Sequence, residues 1–139
     1  MSQSLPNFVY IGPSKAGSTW LHEVLITHPQ IFMTEAKDLY FFDRFFDRGT
    51  DWYASHFGQA RPEHRVIGEV CQEYLSCPDA PARMHMVLGA EPRLMVTLRD
   101  PVARAFSGYL YMRKHNVFDG TFRQALETRS GMFDHSAHA

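Results

Sequence analysis

The sequence predicts an α/β fold in three layers, with helices on both faces of a central parallel sheet. Two patterns lead there: short apolar runs recur along the chain, and a helical or long irregular connection separates each from the next. Strands joined in this way pair in parallel through right-handed crossovers. The length, 139 residues, allows one hydrophobic core and not two. The strand candidates are residues 8–11, 30–33, 66–70 and 94–98. A first helix is read over 18–28, with Trp20, Leu21, Val24 and Leu25 as its apolar face and Pro29 as its stop. Arg99-Asp100-Pro101 breaks the fourth strand ahead of a helix starting near Val102. Val102, Ala105, Phe106, Tyr109 and Leu110 recur there at helical spacing and are read as the buried stripe. A last helix is read over 122–129. The Phe-Phe-Asp-Arg run at 41–44 repeats at 45–48, a short tandem rather than a repeat architecture.

Composition narrows the function classes. The chain is 45% hydrophobic and carries a formal net charge of -1, which describes a globular domain without the basic surplus of a nucleic-acid binder. No apolar run approaches the roughly 20 residues that span a bilayer. The Met1-Ser-Gln-Ser-Leu-Pro6 start lacks the basic and apolar regions of a signal peptide, so a cytoplasmic location is expected. Cys71 and Cys77 match no zinc spacing and are too few for a disulfide framework, so buried thiols are expected. The eight histidines form no metal set, and His135 and His138 lie in the tail.

The chemistry is concentrated in Phe8-Val-Tyr-Ile-Gly-Pro-Ser-Lys-Ala-Gly-Ser-Thr-Trp20: a strand, a loop with one lysine, then a helix start. Backbone N–H groups of such a loop, with the positive end of the helix behind it, suit a phosphate or sulfate. The loop is P-loop-like but departs from the nucleoside-triphosphate pattern G-x-x-x-x-G-K-[ST]. Gly12 and Gly17 have the right spacing and Ser18-Thr19 follow, yet the lysine stands at Lys15, inside the loop. An ordinary ATP or GTP site, and hence a small P-loop kinase, fits poorly. At the carboxyl end of the fourth strand, Arg99 together with Ser107 is suited to a second anion.

These segments resemble the phosphosulfate loop and the 3′-phosphate motif of sulfotransferases that use 3′-phosphoadenosine-5′-phosphosulfate (PAPS). Pro13-Ser-Lys-Ala-Gly-Ser-Thr-Trp-Leu21 matches the first, and Arg99-Asp-Pro-Val-Ala-Arg-Ala-Phe-Ser107-Gly-Tyr109 the second. Asp38-Leu-Tyr-Phe-Phe-Asp43, Gly49-Thr-Asp-Trp-Tyr53 and Gly68-Glu-Val-Cys-Gln-Glu-Tyr-Leu75 look like intervening blocks of the heparan-sulfate-type branch and its bacterial relatives. The resemblance runs from Phe8 to about Ala125. It implies a sulfotransferase domain over 1–139, incomplete at the carboxyl end. The uncovered aromatic surface would then be an apolar patch prone to self-association.

The resemblance also implies roles. Lys15, Ala16, Gly17, Ser18 and Thr19 would hold the 5′-phosphosulfate, with Lys15 neutralising charge on the leaving oxygen. Arg99 and Ser107 would hold the 3′-phosphate. Trp20 would stack near the nucleotide, although the residues alone equally allow a core position. The general base of the heparan-sulfate-type branch is a glutamate, and its position falls on Asp38, one methylene shorter. Glu35 and Asp43 are nearby substitutes, and Lys37 is either an acceptor contact or solvated. Val70 stands where that branch carries a lysine, which weakens a sulfated-glycan acceptor. The expected reaction moves a sulfuryl group from PAPS to an acceptor hydroxyl or amine on a small molecule, glycan or lipid, leaving PAP and using no metal. The alternative is a truncated, noncatalytic module that binds PAP or PAPS or serves in interaction.

Overall fold

A computed structural model describes residues 4–128. Strands β1 (Phe8–Gly12), β2 (Ile31–Met33), β3 (Val66–Val70) and β4 (Arg93–Val96) form one sheet in the order β2-β3-β1-β4. Every pairing is parallel, with Val9 opposite Glu69 on one side and Leu94 on the other. The helices are α1 (Ser18–Leu25), α2 (Thr50–Ser55), α3 (Ala80–Leu88), α4 (Pro101–Lys114) and α5 (Phe122–Thr128). The chain leaves β1 toward β2 on one side, and leaves β3 across β1 toward β4 on the other. Right-handed crossovers running in opposite directions lie on opposite faces of a sheet. The reversal opens a crevice at the carboxyl end of β1, where parallel sheets place their ligands.

Strand alternation sorts the core into two clusters. Tyr10 and Val70 pack with Leu21, Leu25 and Met33 under α1. Val9 and Cys71 face the opposite way, into an aromatic layer of Phe41, Phe42, Tyr53, Phe57 and Tyr74 with Ala80 and Met84 of α3. Phe41 stacks on Tyr53 with ring centroids 4.3 Å apart, and Phe42 meets Tyr53 and Tyr74 edge-on. The tandem run thus splits in role: Phe41 and Phe42 are fully buried, while Phe45 and Phe46 are half-buried at the layer's margin.

Glu69 projects from β3 into this aromatic layer and is fully buried. Its Oε1 accepts from the Tyr53 hydroxyl at 2.6 Å and the Tyr74 hydroxyl at 3.0 Å, whereas Oε2 has no hydrogen-bond partner. Tyr74 in turn accepts the Phe41 N–H at 3.0 Å. Burial dominates over the two tyrosine bonds and pushes the Glu69 carboxyl up to about 7.

Several sequence expectations shift. The third strand spans the expected residues, but β4 stops at Val96 because Thr97 turns its hydroxyl to the loop after β1. The first helix ends at Leu25, and Ile26, Thr27 and His28 close onto His22, Val24 and Leu25 in a fraying last turn. Its inward face is Ser18, Leu21 and His22, with His22 Nε2 2.8 Å from the Thr34 carbonyl, while Trp20 and Val24 face outward. On α4 only Tyr109 of the expected stripe is buried, joined by Met112; Val102, Phe106 and Leu110 are exposed. The reason is that β4 is the sheet edge in this structure, so that face of α4 has little sheet to cover. Leu94, Val96 and Leu98 are exposed as well. Arg129, His135 and His138 lie outside the described residues.

Because the folded carboxyl of Glu69 titrates above its ordinary value of 4.5, the native state binds the extra proton between pH 4.5 and about 7. Its contribution is therefore complete below pH 4.5 and lost as pH rises through 7. The stability of the wild type relative to Glu69→Gln, read from urea midpoints, should fall by on the order of 3 kcal/mol across that window. A difference that stays constant with pH would show that Glu69 is not buried with an orphaned oxygen.

Candidate active site

The loop after β1 is held by its carbonyls. The Tyr10 hydroxyl reaches the Pro13 carbonyl at 3.1 Å and Thr97 Oγ1 at 2.8 Å. Thr97 Oγ1 donates to the Ala16 carbonyl at 2.8 Å, Arg99 Nη1 to the Lys15 carbonyl at 3.0 Å, and Arg104 Nε to the Ser14 carbonyl at 3.0 Å. Four successive carbonyls thus bond to side chains of β1, the segment after β4, and α4. In a trans peptide the N–H points opposite to the C=O. The amides of Ser14, Lys15, Ala16 and Gly17 are consequently turned away from those anchors. Lys15 has φ 58° and Gly17 φ 96°, the left-handed turns that gather successive N–H groups into a concavity. A Cβ on Gly17 would meet nothing within 4 Å, so the cradle is open. Gly17 caps α1 and has no side chain to bond the first amides of that helix.

Gly12 fixes the loop from below. Its φ of 120° favours glycine, and a Cβ there would lie 2.5 Å from the Gln72 carbonyl oxygen. β1 and the segment after β3 thereby come together just under the site.

The chain has three lysines, and all three converge here. The Lys15 ammonium is held below its ordinary range by burial first, then by the like charges of Lys37 and Lys114. Its Nζ lies 3.7 Å from the centroid of the Tyr111 ring on α4. Lys37 donates to Ser18 Oγ at 3.1 Å, in the buried first turn of α1, and lies 3.2 Å from Asp38 Oδ2. Asp38, at φ 59°, donates its N–H to the Val70 carbonyl and accepts the Gln72 N–H on Oδ1 at 3.0 Å. Both of its carboxylate oxygens are engaged.

The expected residues fall unevenly around this centre. Lys15, Ala16, Gly17 and Ser18 form it, and Thr19 is exposed at its helix end. Trp20 is 66% exposed, which removes the core alternative. Ser107 is half-buried on α4. Arg99 is exposed and already commits one nitrogen to the loop carbonyl, so its first visible role is to position Lys15. Asp43 is set in the aromatic layer with Oδ1 unpartnered, its carboxyl pushed up chiefly by burial. Sequence reasoning gave no role to Tyr10, Thr97 or Tyr111, and read Arg104 as better explained by a solvated helix face or a salt bridge. Thr97 carried a signal, a hydroxyl near the end of an apolar strand run; the others read as ordinary core or helix-surface residues. Among the described residues, no three His, Cys, Asp or Glu side chains converge as metal ligands.

No protein-family model matches the chain. It is 37% identical over 107 residues to the membrane-associated sulfotransferase kil1 of Dictyostelium discoideum, covering 76% of this chain and 22% of that protein. Human heparan sulfate glucosamine 3-O-sulfotransferase 3B1 is 34% identical over 108 residues, covering 78% of this chain and 27% of the relative. Human bifunctional heparan sulfate N-deacetylase/N-sulfotransferase 3 is 31% identical over 118 residues, covering 80% and 13%. The crystal structure of a sulfotransferase from Alicyclobacillus acidocaldarius superposes with a TM-score of 0.83 at 26% identity, covering 96% of this chain and 64% of that one.

The chain belongs to the sulfotransferase family. This sulfotransferase chain spans between 13% and 27% of the length of the three curated relatives named above. The cytoplasmic location expected from composition is overturned by the membrane-associated relative. The physical reason is that a domain's composition is set by its core and surface, whereas addresses and anchors are separate segments. Among the described residues no helix is long and apolar enough to cross a membrane.

The bond from Arg99 to the Lys15 carbonyl separates two roles for that arginine. If it positions the loop, Arg99→Ala should weaken a simple phosphate probe such as adenosine 5′-phosphate by roughly fivefold, the worth of about one hydrogen bond. Calorimetric titration decides it, and unchanged affinity for adenosine 5′-phosphate would show that this bond does not shape the loop.

Proposed function

We propose that this chain is the donor-binding part of a sulfotransferase that moves a sulfuryl group from PAPS to an acceptor hydroxyl or amine. The observation that carries the reading is the loop of residues 13–17, in which the carbonyls of residues 13–16 are tied back so that its amides, Lys15 and the open end of α1 address one concavity. The open cradle at Gly17 and the converging lysines suit a group bearing a 5′-phosphosulfate. When bound, PAPS supplies an activated sulfuryl group on a phosphate leaving group.

The chain's own residues then have defined work. The amides of residues 14–17, with Ser18 and Thr19, hold the 5′ anion. The Lys15 ammonium sits where negative charge develops on the leaving oxygen, so its attraction grows in the transition state. The free side of the Arg99 guanidinium and the Ser107 hydroxyl hold the 3′-phosphate, and the exposed Trp20 indole offers a stacking face. Asp38 receives the acceptor's proton as the acceptor–sulfur bond forms. Its Oδ2 is paired with Lys37 at 3.2 Å, so that step requires Lys37 to turn from Asp38 toward the donor's anion. Heparan sulfate glucosamine, the acceptor in several relatives' names, is one candidate, beside other glycans, lipids and small molecules.

A second reading, a noncatalytic module that binds PAP, is favoured by the same Asp38, whose two oxygens are both occupied.

Calorimetric titration of the chain with PAP should show binding, and Lys15→Ala should weaken it by roughly ten- to a hundredfold, the worth of a charge-assisted hydrogen bond. No binding by a folded protein, or full affinity in the variant, would overturn the donor site. Asp38→Asn preserves the acceptor for the Gln72 N–H, so PAP affinity should stay within about threefold while sulfuryl transfer to heparan sulfate or a simple alcohol or amine stops. A collapse of PAP binding in Asp38→Asn would make the residue structural. No transfer by the wild type that binds PAP would select the noncatalytic module.

A further inference from the structure

Helix α4 meets the anion loop twice. Near its start Arg104 bonds the Ser14 carbonyl, and seven residues on, two turns along the same face, the Tyr111 ring lies under the Lys15 ammonium at 3.7 Å. Only the first contact is to backbone. The second holds the one side chain in the loop that carries charge.

That side chain needs holding. Lys15 extends from a left-handed backbone conformation between two like charges, Lys37 from the segment after β2 and Lys114 from the end of α4. Arg99 adds a third cation at the Lys15 carbonyl. The carboxylate of this set, Asp38, is paired with Lys37. Nothing else in this group of charges offers Lys15 a negative partner, so repulsion and hydration both draw its ammonium outward. An aromatic face opposes that, because its electron-rich surface attracts a cation and tolerates the loss of water on that side. Tyr111 is itself fixed by His115 one turn on, with ring centroids 4.3 Å apart.

We propose that Tyr111 is a positioning residue of the donor site: its ring face holds the Lys15 ammonium at the mouth of the loop, ready to meet an incoming phosphate or phosphosulfate. The ring covers one side of the ammonium and leaves its N–H donors on the other side for the anion, so the same contact serves the free and the bound protein. The proposal rests on the donor-site reading above.

With three lysines in the chain, isotope-labelled lysine side chains give a spectrum simple enough to assign. In the wild type the Lys15 methylene nearest the nitrogen should show the upfield ring-current shift of a group stacked on an aromatic face. Tyr111→Leu should abolish that shift and lower the Lys15 titration midpoint further, since the ring stabilises the charged form. PAP affinity should fall by about two- to thirtyfold, the range of a partly desolvated cation–ring contact. Tyr111→Phe keeps the ring and should retain shift, midpoint and affinity. Tyr111 is half exposed, so the leucine variant is expected to fold. A Leu variant with unchanged midpoint and PAP affinity, or a Phe variant as impaired as Leu, would overturn the role of the ring while leaving the donor site standing. A wild type that does not bind PAP would sink the donor site and this role with it.

Discussion

The site depends on the tying-down of one loop by its carbonyl oxygens. A loop rich in backbone N–H groups attracts anions only if its peptides face one way, and an isolated chain has no reason to hold them so against its own entropy. Here the constraint comes from four side chains on three separate stretches: Tyr10 on β1, Thr97 and Arg99 after β4, and Arg104 on α4. They can converge only because β1 lies between β3 and β4, so the strand that launches the loop is flanked by the segment that anchors it. The order of the sheet and the electrostatics of the site are one fact seen at two scales.

The other side of β1 supports Asp38 in a different way. Asp38 is pinned by backbone bonds to Val70 and Gln72 at the end of β3, and the residues that follow it, Leu39, Phe41 and Phe42, enter the aromatic layer. Burying Glu69 in that layer is costly, since one of its oxygens lacks a partner. Two tyrosine hydroxyls offset part of that cost and tie β3 to the segment that carries Phe41 and to α2, which carries Tyr53. Asp38 thus stands on a rigid, ring-packed floor, while Lys15 stands on a tethered loop. Lys37, bonded to both Ser18 and Asp38, is the side chain that spans the two.

Helix α4 combines two surfaces with unlike demands. One carries Arg104 and Tyr111 to the loop, and another packs Tyr109 near α5, where Phe106 and Phe122 meet edge-on at 5.2 Å. The remaining apolar positions, Val102 and Leu110 among them, stay exposed. A helix that must serve a site and a core cannot place every apolar residue at the core, which is why its apolar spacing described its packing poorly.

What the sequence by itself determined is local: the strand runs, the glycine-punctuated loop with its lysine, the starts of α1, α4 and α5, and the parallel sheet that alternation requires. These follow from short-range sterics and hydrophobic period, which neighbouring residues encode. That Lys15, Ala16, Gly17 and Ser18 share one loop at the start of α1 was legible for the same reason, since the loop is one continuous segment. Tertiary structure decided what no segment contains. It made Arg99 a support of the loop through a contact 84 residues away, set Trp20 outside the core, engaged Asp38 on both oxygens, and brought the Tyr111 ring beneath Lys15. A side chain's partner depends on which distant strand the sheet order sets beside it, and that order is fixed only when the whole core closes.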